Sequence, residues 1–395
     1  MGAGNTESND RVIDHEGAVL DRYEAAALNA EVGLCVPVHY DPVLLEVIPD
    51  EIMEKDYGCG DPSRYVREGE TVLDLGSGSG KACYIMGQIA GPRGKVIGVD
   101  FNDAMLAVAR KYQDSIAHRL GYRNVEFRRG KIQDLRMNPD LIDAYLARRP
   151  VRSVAELQAL RDFEERAARE QPLVADETID VVVSNCVLNL VRPDQKRQLF
   201  AEMHRVLKRG GRIAVSDIVG DEAVPEHLTK DPELWSGCVS GAFQEEEFLR
   251  AFEQAGFYGI HMEEMSREPY RTVEGIEFRS VTVTAYKGKE GPCLEKNEAV
   301  IYRGPWKQVV DDDNHLIPRG ARIAVCEKTY QIYSRPPYRD QFILIPPRVG
   351  IAPEKAGVFD CSRDQRRHPR ETKGLDYKVT DSAESLCSPG SACCS

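Results

Sequence analysis

Apolar runs and helical spacings alternate through most of this chain. Short stretches of consecutive apolar residues, the signature of parallel strands covered on both faces, predict strands at 72–75, 96–99, 125–128, 179–184 and 212–217. Between them the period changes to that of a helix. Lys81 to Ala90 places Ile85, Met86, Ile89 and Ala90 on one side, and Gln195 to Leu207 is amphipathic and stops at Lys208-Arg209-Gly210-Gly211. Gln244 to Ala255 is helical with Gly256 as its stop. Tyr258 to Met265 and Phe278 to Tyr286 supply two more strands, which complete a seven-stranded sheet with an antiparallel edge. Short helices are predicted around Asp21 to Ala30 and Pro42 to Lys55.

Between the third and fourth strands the pattern is interrupted. Residues 139–172 carry Leu141, Ala144 and Leu146, then Val154, Leu157, Leu160 and Phe163, which reads as two amphipathic helices inserted into the alternation. Beyond Gly288 the periodicity shortens: Ala299 to Tyr302, Gln308 to Val310, Ala321 to Cys326 and Tyr330 to Ser334 are strand-like runs around the turn Asp311 to Asn314. The predicted organisation is an N-terminal cap over 1–70, an α/β domain over 71–288, a small β-rich module over 289–346 and a flexible, cysteine-containing tail over 347–395.

With 395 residues, 42% hydrophobic and 29% charged, the chain can bury a sizeable core. It has no apolar run long enough for a membrane span, and its polar start, MGAGNTESND, has no secretory pattern, so a cytoplasmic location is expected. A net charge of −12 offers no footprint for a nucleic-acid backbone, and neither nucleic acid nor membrane is an expected partner. Eleven cysteines without an export signal read as ligands, redox thiols or core residues rather than a disulfide framework. No C-x-x-C pair recurs at zinc-finger spacing. Cys83 and Cys326 read as small core residues.

The turn after the first strand is the first sign of chemistry. Gly76-Ser77-Gly78-Ser79-Gly80 follows Leu75 at once and opens a helix, a strand–glycine turn–helix unit whose backbone can approach a ligand closely. The second strand ends in Asp100, placed to accept hydrogen bonds from a ribose diol. The loop D-L-G-S-G-S-G has an acidic entrance, Asp74. A carboxylate there disfavours pyrophosphate and suits S-adenosylmethionine, which carries an ammonium group and a sulfonium and no phosphate. Asp74, Gly76, Ser77, Gly78, Gly80 and Asp100 are therefore candidate cofactor contacts, in the Rossmann-like sheet of a class I methyltransferase.

Three cysteines stand out around this unit: Cys59 in YGCG, Cys186 in SNCVLNL at the end of the fourth strand, and Cys238 in WSGCVSGA. Transfer to oxygen or nitrogen usually needs a base, and the histidines at hand, His39 and His204, read as structural. A thiophilic acceptor needs none. Three thiolates can hold a trivalent metalloid in a trigonal pyramid with its lone pair directed away from sulfur, and soft sulfur selects soft centres.

In these motifs the chain resembles the arsenite S-adenosylmethionine methyltransferases. VGLC, YGCG, VLDLGSGSGK, GVD, SNCVLNLV, RVLKRGGRIAVSD and WSGCVSGA stand in the family's order over 31–288, and EAVIYRGPWKQV to AVCEKTYQIYSRPPY looks like the C-terminal domain of microbial members. The resemblance implies that Cys59, Cys186 and Cys238 bind arsenic(III) and that Cys35 forms a transient disulfide with one of them during turnover. It implies cofactor contacts from Tyr57, Gly76, Gly78, Asp100, Phe101, Ile132, Gln133 and Asn185. It also implies arsenite or glutathione-bound arsenic(III) as substrate, thioredoxin or glutathione as reductant, and arsenic detoxification as the role. Gln133 stands where relatives commonly carry Glu, and Gly237 where many have an acidic residue. Two other readings of the same residues stand beside this one: a small-molecule C- or O-methyltransferase with structural cysteines, and a metalloid-binding protein without turnover.

Overall fold

The computed structural model describes residues 14–29, 31, 38, 40–363 and 365–378. Cys35, Cys387, Cys393 and Cys394, and with them the expected Cys35 disulfide, lie outside the described residues. The chain divides after Gly288 into two compact units.

The first unit is built on strands β1 (Thr71–Leu75), β2 (Lys95–Asp100), β3 (Val125–Arg129), β4 (Ile179–Asn185), β5 (Leu207–Gly220), β6 (Phe243–Gln244), β7 (Tyr258–Met265), β8 (Arg271–Val273) and β9 (Ile276–Tyr286). Seven lie in the order β3-β2-β1-β4-β5-β9-β7, with β9 antiparallel to β5 and β7 antiparallel to β9; the two-residue β6 adds to β5 and β8 to β9. This is the expected seven-stranded α/β sheet with two short additions. Strand order reverses between β1 and β4, and such a switch point opens a crevice at the carboxyl ends of the strands.

Helices α1 (His15–Leu28), α2 (Pro42–Leu45), α3 (Asp50–Glu54), α4 (Lys81–Ala90), α5 (Asp103–Lys111), α6 (Gln113–Leu120), α7 (Pro139–Arg148), α8 (Val154–Glu170), α9 (Pro193–Val206), α10 (Glu226–Thr229), α11 (Pro232–Ser236) and α12 (Glu245–Gln254) complete the unit. Alternation along the strands separates two cores. Leu73, Leu75, Val182 and Val215 face α9 and α12 through Leu199, Phe200, Phe248 and Phe252, whereas Val72, Val96, Val181 and Val183 face α4 and α5 through Tyr84, Ile85, Leu106 and Ala109. Both faces are buried, which is why the strands read as unbroken apolar runs.

Two N-terminal expectations change. The first helix begins at His15 rather than Asp21, because the Asp14 carboxylate caps it by accepting from Gly17 N at 2.9 Å. The helix expected over Pro42 to Lys55 is two short helices, since Pro49 in extended backbone separates them. In the insertion, α7 and α8 pack on each other through the stacked rings of Tyr145 and Phe163, 4.5 Å apart. Among the described residues no helix is long and apolar enough to cross a membrane.

The second unit holds β10 (Leu294–Glu295), β11 (Ala299–Tyr302), β12 (Gln308–Val310), β13 (Leu316–Pro318), β14 (Arg322–Ala324), β15 (Phe342–Ile345) and β16 (Gly357–Val358), with helices α13 (Glu327–Tyr333) and α14 (Pro369–Lys373). β14-β11-β15 form one antiparallel sheet, β12-β13 a hairpin and β10-β16 a pair. Tyr330 to Ser334, read as a strand, belongs mostly to α13, where Thr329, Ile332 and Tyr333 share the buried face. The tail expected from 347 starts too early. Residues 347–378 include β16 and α14, tied down by Arg367, which is 2% exposed and pairs with Glu295 and Glu371 at 2.7 Å. Charge pairs and backbone hydrogen bonds, together with the buried Phe359, hold this otherwise polar stretch, so hydropathy does not reveal it.

Candidate active site

The glycine turn after β1 shapes one wall of a cleft of about 1080 Å³ at the switch point. Gly76 and Gly78 have φ of 74° and 49°, and a side chain on Gly78 would point into open space. Asp100, at the end of β2, receives Gly78 N at 2.8 Å and Asn102 N at 2.9 Å, one on each oxygen, with the Phe101 N–H as a further donor, and the acceptor capacity left over is available to a ligand. Burial raises this carboxyl, against hydrogen bonds that lower it.

Ten of the predicted cofactor residues line the cleft: Tyr57, Asp74, Gly76, Ser77, Gly78, Asp100, Phe101, Ile132, Gln133 and Asn185. Gly80 does not. Its φ is 87° and a Cβ would meet the Phe127 ring at 2.7 Å, so this glycine serves helix–sheet packing. Asp74 is also unlike the expected charged entrance. It is 2% exposed, its Oδ2 accepts from the Cys83 thiol at 3.1 Å, and burial pushes its pKa up to about 7. A cation bound beside it would restore the ionised form.

Two polar atoms in the cleft wall fit a polar ligand. Ser77 Oγ and Asn102 Nδ2 are buried and have no hydrogen-bond partner among the described residues. Asn102 Oδ1 caps α5 by accepting from Met105 N at 3.0 Å, which leaves the amide group for the cleft. The residues present therefore suit a nucleoside-bearing cofactor: a carboxylate for a diol, two unmet polar groups, and glycines that admit close approach.

The three candidate thiols converge beside this cleft. Cys59, Cys186 and Cys238 are 4%, 7% and 5% exposed and share one apolar cluster with Ile218, Leu228, Val239, Ile276 and Phe278. Cys186 is the hub: it packs in one cluster with Cys59 and Cys238, its carbonyl oxygen accepts from the Cys238 thiol, and it also lines the cleft. All three are free.

Each thiol is held by its own segment. Cys59 sits in a turn pressed against Asn185, whose Oδ1 accepts from Cys59 N at 2.9 Å and Gly60 N at 3.2 Å while its Nδ2 donates to Gly60 O at 2.8 Å. The YGCG motif is steric: a Cβ on Gly58 would meet Asn185 Nδ2, and one on Gly60 would meet Ser216 Oγ, each at 2.4 Å. Cys186 follows β4 with a left-handed φ of 61°, its N–H donating to Ser216 O at 2.7 Å. Cys238 follows α11 with φ 63°, and its thiol donates to Cys186 O at 3.1 Å. Side chains in such sparsely populated backbone cluster at functional sites.

Burial pushes the Cys59 thiol up, and the neighbouring thiols of Cys238 and Cys59, together with burial, raise that of Cys186 well above its usual range. Both rest as neutral thiols in an apolar pocket rather than as activated thiolates.

Several contributors were missed from sequence. Asp217, at the carboxyl half of β5, accepts from Leu188 N, Ile218 N and Asn189 Nδ2, all at 2.8 Å, and so fixes the turn that follows Cys186; burial pushes it up to about 6. Tyr23 of α1 stands near the sulfurs of Cys238 and Cys186 and also lines the cleft. Arg22 ties the same helix to the Cys238 segment through Glu233 O at 2.9 Å and Ser236 Oγ at 3.0 Å. The contacts of Arg22 and Tyr23 with the Cys238 segment span more than 200 residues of sequence, and no local pattern announces them. Asn102 could have been found as the cap of the helix after GVDF. His204, read as structural, packs edge-on against Phe257 with ring centres 5.2 Å apart and is not among the cleft residues.

Fold and site together define a methyltransferase, and a family described as a methyltransferase domain matches residues 67–160 and 152–256. The arsenite methyltransferase of Aquipseudomonas alcaligenes is 33% identical over 78% of this chain and 82% of its own length. The human arsenite methyltransferase is 28% identical over 99% of this chain and 97% of its own. A crystal structure of an arsenic(III) S-adenosylmethionine methyltransferase from Chlamydomonas reinhardtii, 28% identical, covers 82% of this chain and all of its own with a TM-score of 0.54. The chain belongs to the arsenite methyltransferase family. Residues 289–377 match a family described only as a domain of unknown function.

Proposed function

We propose that this enzyme transfers methyl groups from S-adenosylmethionine to trivalent arsenic held by Cys59, Cys186 and Cys238, releasing methylated arsenicals in a detoxification role. One observation carries the reading: Cys186 belongs both to the wall of the cofactor cleft and to the group of three thiols.

Arsenite enters as As(OH)₃, and each thiol that replaces a hydroxide gives up its proton with it as water, so the exchange needs no base. The apolar cluster around the three sulfurs excludes solvent from the exchange. Asp100 would hold the ribose, Ser77 Oγ and Asn102 Nδ2 would meet polar groups of the cofactor, and Asp74 would face its cationic end. S-adenosylmethionine, when bound, supplies an electrophilic methyl group on a sulfonium sulfur. With three sulfurs on one side of arsenic, the chain turns the arsenic lone pair towards the cleft, and positioning supplies the catalysis.

Cys35 completes the cycle in this proposal: oxidation of two thiols to a disulfide returns two electrons to arsenic, and thioredoxin or glutathione in the cytoplasm reduces that disulfide. The test is arsenite-dependent formation of S-adenosylhomocysteine by the parent and by Cys59→Ser, Cys186→Ser and Cys238→Ser. We expect arsenite turnover to fall at least ~100-fold in each variant while folding and cofactor binding persist. Undiminished turnover in Cys186→Ser would overturn the assignment and favour a small-molecule methyltransferase with packed cysteines, whereas arsenic binding without product in the parent would favour a sequestering protein.

A further inference from the structure

The described residues contain a second meeting of thiols, in the unit whose matching family has no known function. Cys293 lies just before β10 and Cys326 just before α13, and α13 packs against β10. Cys293 packs against the buried cluster that holds Cys326, and the two thiols are close enough to interact. Cys326 is buried, its sulfur accepts from Thr329 N at 3.5 Å, and Thr329 Oγ1 stands 3.3 Å away. Ala324 and Phe359 form the apolar wall around the pair, and Phe359 N donates to Cys293 O at 2.8 Å. Both cysteines are free, and Cys293 is only half-buried, so the pair has an open side. Burial raises the Cys326 thiol, which keeps it protonated at rest.

We propose that Cys293 and Cys326 form a two-thiol binding site for a trivalent arsenical that carries one carbon substituent. Arsenic(III) makes three bonds, and a carbon substituent leaves two positions. R–As(OH)₂ and two thiols give R–As bound to both sulfurs and two waters, with no electron transferred. Inorganic arsenite would keep a hydroxide here, whereas the three-thiol active site replaces all of its hydroxides, so the number of thiols separates the two species. Soft sulfur selects the metalloid, and Phe359 and Ala324 suit the carbon group. The proposed methylation supplies such a ligand after its first round; the inference rests on that reading for the ligand's origin and not for the binding chemistry.

The probe is phenylarsine oxide, an arsenical with one carbon substituent, added to the reduced full-length chain carrying Cys59→Ser, Cys186→Ser and Cys238→Ser. Intact mass then counts bound equivalents. We expect Cys293→Ser to lose one equivalent, Cys326→Ser to lose the same one, and the double substitution to lose no more than either alone. A full count in either single variant overturns the proposal. A second measurement uses the unsubstituted protein: saturation with phenylarsine oxide, blocking of remaining thiols with N-ethylmaleimide, release with 2,3-dimercaptopropanol and labelling with iodoacetamide. Cys293 and Cys326 should carry the second label together, and maleimide on either one refutes the site. Because the first experiment lacks the active-site thiols, its outcome is independent of the catalytic assignment.

Discussion

At the level of single residues, the three thiols are not equivalent. Cys186 touches both others and the cleft, whereas Cys59 stands on a turn held by the Asn185 amide. Once arsenic carries one methyl group it can bind only two thiolates, so on the proposed function Cys186 and Cys238 would suffice for a second round. Cys59→Ser is therefore expected to lose activity on arsenite and keep it on monomethylarsonous acid, measured as S-adenosylhomocysteine release; equal loss on both substrates would exclude this division. Asp74 gives a pH signature. Burial lifts its pKa from 3.8 to about 7, so the folded protein holds the proton more tightly than the unfolded chain, and the stability this contributes is complete below pH 3.8 and lost as pH rises through about 7. Asp74→Asn should melt progressively higher than the parent as pH rises over that window, with the difference level above it, and cofactor affinity of the parent should increase through about pH 7. A pH-independent difference in melting would rule this out. The cysteines and cleft residues were legible because their motifs sit at strand ends and a glycine turn. The partners Asp217, Tyr23 and Arg22 were not, because their role exists only once distant segments meet.

At the level of elements, the strands were legible wherever both faces are covered, since burial leaves an unbroken apolar run. The misreadings have physical causes. α13 is rich in Tyr and Ile, residues at home in strands, yet Thr329, Ile332 and Tyr333 fall on one helical face. Residues 347–378 are polar and hold their place through Arg367 and its carboxylate partners. The inserted helices carry a prediction of their own. Leu173 N reaches Arg136 O at 3.3 Å and Val174 N reaches Leu135 O at 2.9 Å, so the two ends of the insertion lie side by side and a short turn can join them. Replacing 138–171 by a glycine–asparagine turn is expected to leave arsenite turnover essentially intact. A loss of turnover in a folded, cofactor-binding variant would show that α7 and α8 contribute to catalysis.

In the first unit as a whole, the site occupies the switch point between the parallel strands β1 and β4, and it draws its thiols from before β1, after β4 and after α11. Helix α1 links these parts, with Tyr23 near the Cys238 sulfur and Arg22 on the segment that carries it. The sheet could be derived from pattern alone, but the convergence could not, since it depends on contacts such as Asn185 with Gly60 that no spacing encodes. The left-handed backbone at Cys186 and Cys238 bears on how the protein can change. Such a conformation costs a residue with a Cβ on the order of 1 kcal/mol, and glycine escapes most of it. Cys186→Gly should therefore melt above Cys186→Ala, the reverse of the usual ranking, with neither variant able to methylate arsenite; scanning calorimetry on the pair decides the point. A selection for thermal robustness alone would then drift towards glycine at these positions, and on the proposed function it would discard the thiols that hold arsenic.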